Sequence, residues 1–225
     1  MQINDFVKYF GCFFLLFQTY CQHKDVATLH LVHQKKVASV KNENPDSTFL
    51  FKLANAAANL KDVQVRYDSD YISIDYPNGD VPSKTGVCSD VVVRAYRKLG
   101  VDLQVLVHED MKKHFNLYPK IWGLIKTDTN IDHRRVPNLE VFFTRKGKKL
   151  AVTSNSEDYF PGHLVTWRLG GTLPHIGIVT HQKSSDGKRF LIMHNIGGGQ
   201  VIEDVLFAYP ITGHYILNLK KLSSF

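Results

Sequence analysis

The chain has 225 residues, 44% of them hydrophobic, and a formal net charge of +7 at pH 7. That supports one domain with a proper core and, once the leading segment is set aside, not two. The basic residues are scattered, and the densest run, Arg145 to Lys149, holds a glycine and reads as a solvated hairpin turn, so no nucleic-acid partner is expected; the surplus charge suits anionic surroundings such as cell wall or lipid headgroups.

Residues 1–21 place an apolar stretch of secretory-signal length between Lys8 and the polar run QHKD, which reads as an export signal and implies a periplasmic or secreted protein. The competing reading is an N-terminal helix that stays and packs. Cys21 follows Thr19 and Tyr20, which fit a lipidation pattern poorly, so membrane contact is expected only through an N-terminal anchor of this kind. If the signal leaves, Cys12 and Cys21 leave with it, and Cys88 stands alone without an internal disulfide. Residues 22–47 are polar and unpatterned and read as a flexible arm, and 48–225 as a single domain, expected to be monomeric.

The domain opens with STFLFKLANAAANL, a helix that Ser47 or Thr48 can cap and in which Leu50, Leu53, Ala57 and Leu60 recur at helical spacing. Residues 64–87 carry turn signals at Asn78-Gly79 and Pro82 and read as a loop with short extended pieces. A helix then starts at Cys88, with Val91, Val92, Ala95 and Leu99 as its buried stripe and Gly100 at its end, and VLVHEDMKKHF continues as a second one. The stretch 118–139 has no period. From 139 onward LEVFFTR, LAVTS, HLVTWRL, HIGIVTH, RFLIMHNI and YILNLK read as short alternating strands, giving an α+β fold in which helices precede an antiparallel meander.

At the first turn of its helix, Cys88 meets unpaired N–H groups and the positive end of the dipole, both of which favour thiolate. The bland reading is a small buried hydrophobe. Acyl transfer also needs a base and a group to orient it. In PHIGIVTH, His175 shares a strand face with Gly177, and the next strand carries His194 near its end. Antiparallel pairing through SSDG brings the two histidines together, so that Cys88, His175 and His194 form a candidate nucleophile, base and orienter. Each histidine alone reads equally as a satisfied sheet residue.

The order of a cysteine at a helix start, then PGHLVTW, HIGIV and MHN, resembles the NlpC-type papain-like peptidases that cleave bacterial cell-wall peptides. That resemblance implies a papain-like fold, with the nucleophile helix packed on a C-terminal antiparallel sheet, and the same three residues in the catalytic roles. YPNGDVP, GVCSDVVVRAYRKLGVDLQ, VHEDM, NIDHRRVPNL and ITGHY look more closely like domain of unknown function 1287, a bacterial family placed near those peptidases, over residues 50–217. Both families usually have aspartate where this chain has His163, which implies that the acid's role at the rim of the site is altered here.

NIDHRRVPNL admits two readings. In one it is a loop over the cleft whose Arg134 or Arg135 pairs with a substrate carboxylate, with His133 and Asp90 completing the substrate-contacting set. In the other it is a structural knot in which Asp132 binds an arginine and Asn138 holds a turn, while Asp90 is a first-turn acid that favours its helix.

The expected function is an exported cysteine hydrolase acting on amide or peptide bonds, in peptidoglycan above all, with no cofactor and no metal. Three alternatives stand beside it: a zinc hydrolase using Cys88, His175 and His194, a wall-binding module that has lost catalysis, and acyl transfer to an amine or lipid. Fused to a reporter active only outside the cytoplasm, residues 1–30 should confer activity. A silent reporter with full-length protein accumulating inside would remove the export reading.

Overall fold

The computed structural model describes residues 45–217, so the export segment and nearly all of the expected arm lie outside the described residues. Helix α1 (Pro45–Ala58) starts slightly earlier than the Ser47/Thr48 caps suggest, with proline at its first position, where its fixed φ and missing N–H are tolerated. Leu53, Ala54 and Ala57 are fully buried.

The loop that follows contains two short strands, β1 (Arg66–Tyr67) and β2 (Thr85–Gly86), paired in parallel. Arg94 holds it in place: its Nε donates to Asp80 and its Nη2 to the carbonyls of Val81 and Thr85. That arginine belongs to α2 (Cys88–Arg97), in which Val91, Val92, Ala95 and Tyr96 are fully buried. Gly100 takes φ +77 just beyond, as a helix-ending glycine should. Helix α3 (Leu103–Lys113) starts ahead of the expected Val105 because the Asp102 carboxylate accepts the Gln104 N–H and caps it.

LEVFFTR departs from expectation: it lies within helix α4 (Val136–Lys146), not in a strand. Leu139, Phe142 and Phe143 are fully buried at i, i+3 and i+4, and Pro137 sits in the first turn, so the segment satisfies a helical period that a short apolar run also shares with a strand. RKGKK is the end of α4 and the edge strand β3 (Gly147–Lys149) instead of a hairpin turn. A Cβ at Gly147 would stand 2.3 Å from the Ile216 carbonyl oxygen, which explains the glycine. LAVTS forms no strand.

Strands β4 (Leu164–Leu169), β5 (Leu173–Lys183) and β6 (Phe190–Asn195) lie where alternation places them, and β8 (Ile211–Leu217) starts before the YILNLK segment. Between them runs β7 (Gln200–Glu203), which the sequence reading missed. The sheet order is β3-β8-β4-β5-β6-β7, antiparallel throughout. On one face Leu164, Ile176, Ile178, Met193 and Tyr215 pack with α2 and α4. On the other, Val165, Trp167, Val179 and Ile192 pack with Tyr159 and Leu206, and the Trp167 indole donates to the Leu206 carbonyl at 3.0 Å. The fold is α+β, with helices and an antiparallel sheet.

His163 precedes β4 and shares a short bond with His214, Nδ1 to Nε2 at 2.7 Å. Trp167, not His163, pairs with His175, and four residues of strand separate the two positions by roughly 13 Å. His163 therefore does not stand at the rim expected for it. Burial, helped by His214, holds the His163 imidazole down to about 4. Above the unfolded value of ~6.5 both states are neutral; below it the unfolded chain takes up a proton that the folded chain refuses, so stability is lost as pH falls from ~6.5 towards 4, by about 3 kcal/mol for this residue. His163→Asp offers a carboxylate to His214 when it protonates, so the melting temperature of the variant should fall less steeply than that of the parent between pH 7 and 4.5. Parallel curves would show that the pair does not govern acid sensitivity.

Candidate active site around Cys88

The start of α2 is fixed from several sides. Asp90 Oδ2 accepts the Val87 N–H at 2.7 Å, and its two oxygens accept Arg134 Nε and Nη2 at 2.9 and 3.1 Å, a two-pronged ion pair with both side chains buried. Ser89 Oγ donates to the Arg134 carbonyl, and Asn195 Nδ2 donates to the Gly86 carbonyl, tying the end of β6 to the end of β2, two residues before the helix. Residues that cap and seat the helix thus come from two distant segments.

This seat presses Cys88 against β5. Cys88 is 3% exposed, and the backbone N–H groups of Ile176, Ser89 and Cys88 itself are near enough to the sulfur to favour its charged form. Ile176 follows His175 on β5; its side chain packs with α2, whereas His175 stands opposite Trp167 of β4. His175 Nε2 meets His194 Nδ1 at 2.9 Å, and His194 Nε2 meets Glu203 Oε2 at 3.0 Å. Gly177 makes room for this: a Cβ there would stand 2.5 Å from Ile192 Cγ2 and 3.3 Å from His194 Cβ. The space that the missing side chain leaves at Gly177 is filled by these neighbours. Among the described residues no hydrogen bond joins the thiol to either histidine.

Electrostatics alter one expectation. Burial pushes the Cys88 thiol up to about 12, against the three N–H groups, which pull it down. Burial, with His194 adjoining, holds His175 down to about 3. The helix N-terminus does not win, and the resting pair is thiol and neutral imidazole.

The expected substrate contacts divide. Arg134 is committed to Asp90, and Asp90 is the first-turn acid, so neither is offered to a ligand. His133 is buried, its Nδ1 without a partner among the described residues, and burial holds it down to about 3. Arg135 is half-buried with its guanidinium 4.1 Å from the Trp122 ring centroid. In the structural reading of this stretch, Asn138 does hold the turn, donating to the Asp132 carbonyl, but Asp132 pairs with His108 and the Asp128 N–H and not with an arginine. For zinc, the ring nitrogens would have to converge on one point; those of His175 and His194 face each other, and among the described residues no group of three or more His, Cys, Asp or Glu has metal-holding geometry.

Two neighbours were missed. Tyr67 is near enough to Cys88 and Asp90 to be affected by both, and burial pushes its hydroxyl up to about 12, so it stays a hydrogen-bond donor at neutral pH. Glu203 sits on the unforeseen β7. An open cavity of about 600 Å³ between α4 and the β4–β5 hairpin reaches Pro174, beside His175, without including the cysteine or either histidine. The alkylation rate of Cys88 should therefore be low at pH 6 and climb about tenfold per pH unit with no plateau below pH 9. A plateau already present near pH 6 would mean that a thiolate preexists.

A family model described as "Domain of unknown function (DUF1287)" matches residues 54–217. The uncharacterized protein YijF of Escherichia coli (strain K12) is 53% identical over 149 residues, covering 66% of this chain and 72% of that protein. No solved structure matches. With the family model spanning α1 to β8, whose segments include Cys88, His175, His194 and Glu203, the chain belongs to the DUF1287 family.

Proposed function

We propose that this protein is an exported cysteine hydrolase of papain-like, NlpC-type fold that cleaves an amide bond in peptidoglycan peptides. The observation that supports it is Cys88, the one cysteine among the described residues, at a helix start near the Ile176 N–H of the strand that also carries His175, itself bonded to His194.

In this mechanism the thiol proton passes to His175 as Cys88 Sγ attacks the carbonyl carbon, so the neutral resting pair becomes charged only during reaction. The carbonyl oxygen takes up negative charge, for which the N–H groups at the helix start and the Tyr67 hydroxyl are the available donors. Collapse expels the amine, which receives the proton from His175 and leaves a thioester on Cys88. Water, losing its proton to His175, then releases the acid and restores the thiol. The positive net charge favours an anionic polymer as substrate, and of the four expected substrate contacts Arg135 is the one with surface access.

The test is incubation of the protein lacking residues 1–21 with purified peptidoglycan and identification of the soluble fragments by mass spectrometry. Fragments with newly freed amino groups in the peptide stems should accumulate, and Cys88→Ala and His175→Ala should each slow their release by about a thousandfold or more. Intact peptidoglycan after prolonged incubation, or release undiminished in Cys88→Ala, would refute the proposal.

A further inference from the structure

Glu203 is not part of the triad expected from the sequence, yet it touches it. In the β6–β7 pairing Ile192 stands opposite Glu203 and His194 opposite Val201, so His194 and Glu203 are diagonal neighbours on one face, a separation that a glutamate spans. Its Oε2 lies 3.0 Å from His194 Nε2. The histidine is fully buried, while the glutamate side chain is 48% exposed and keeps access to water.

The protons along this chain follow from donor and acceptor rules. An ionised carboxylate only accepts, so His194 Nε2 carries the hydrogen. A neutral imidazole carries one, so His194 Nδ1 is then an acceptor. Its partner at 2.9 Å, His175 Nε2, must be the donor. His175 Nδ1 is left as the lone-pair nitrogen, and among the described residues it has no hydrogen-bond partner. We infer that Glu203 is a positioning residue that fixes the tautomers of His194 and His175 and so presents His175 Nδ1 as the base for the Cys88 proton. This rests on the hydrolase reading for the use of that base, but the tautomer assignment stands on the hydrogen-bond chain alone. QVIE is short and follows three glycines, so no strand pattern points to Glu203.

Two substitutions at this accessible position separate orientation from mere packing. Glu203→Gln keeps a carbonyl oxygen within reach of His194 Nε2 and should preserve the tautomers. Glu203→Lys replaces the acceptor with a group that only donates, so His194 must accept at Nε2, donate at Nδ1, and leave His175 protonated on Nδ1. Imidazole ¹⁵N spectra of the folded protein at pH 7.5 should show His175 protonated on Nε2 in the parent and in Glu203→Gln, and on Nδ1 in Glu203→Lys. Release of peptidoglycan fragments should be within about threefold of the parent in Glu203→Gln and at least about tenfold slower in Glu203→Lys, the range for loss of an orienting partner. An unchanged His175 tautomer in Glu203→Lys overturns the inference, and so does a reversed tautomer with undiminished release. If parent and variants show the expected tautomers but the parent releases nothing from peptidoglycan, the tautomer assignment holds and the hydrolase reading falls.

Discussion

The start of the cysteine helix hangs on the buried ion pair between Asp90 and Arg134. One carboxylate caps the helix through the Val87 N–H and holds a guanidinium from 44 residues away. Gly86, at φ +152, is hemmed in by the same groups: a Cβ there would lie 3.1 Å from Asp90 Oδ2 and 3.2 Å from Arg94 Nη1. Removal of either partner would strand a charge in the interior, a change that costs about 3–5 kcal/mol in such pairs. Because the pair sits two residues from Cys88, its loss would also free the helix start that presses the sulfur against Ile176.

The seat that orders Cys88 also dehydrates it. Three N–H groups and a helix dipole favour a thiolate, but the cost of a buried charge is larger, and the same burial keeps His175 neutral. The balance suits a nucleophile whose proton moves only as the bond forms. It also makes the orientation of the base decisive: with no ion pair to hold ring and sulfur together, the tautomer of His175 rests on its hydrogen bond to His194, and through it on Glu203.

Much of this was legible in the sequence where one period governed. Strands β4 to β6 alternate cleanly, and Val91, Val92 and Ala95 mark the buried stripe of α2, so the cysteine helix, the meander and the meeting of His175 with His194 could be read directly. LEVFFTR could not, because Leu139, Phe142 and Phe143 fit a helix while the run is also short and apolar enough for a strand; only packing against the sheet decides. The partner of Arg134 was equally hidden. Asp90 reads as an ordinary first-turn acid, and no spacing rule links it to an arginine in a loop without periodicity. His163 was placed at the rim because of its motif, whereas strand geometry puts it at the far end of β4, bonded to His214.

The account turns on one chemical event, the transfer of an acyl group to Cys88. The most direct measurement is intact-protein and peptide mass spectrometry after brief incubation with peptidoglycan peptides and an acid quench. The account predicts an acyl adduct that maps to Cys88, appears before free product, and decays as product forms. Product formed without any adduct on Cys88 would contradict it.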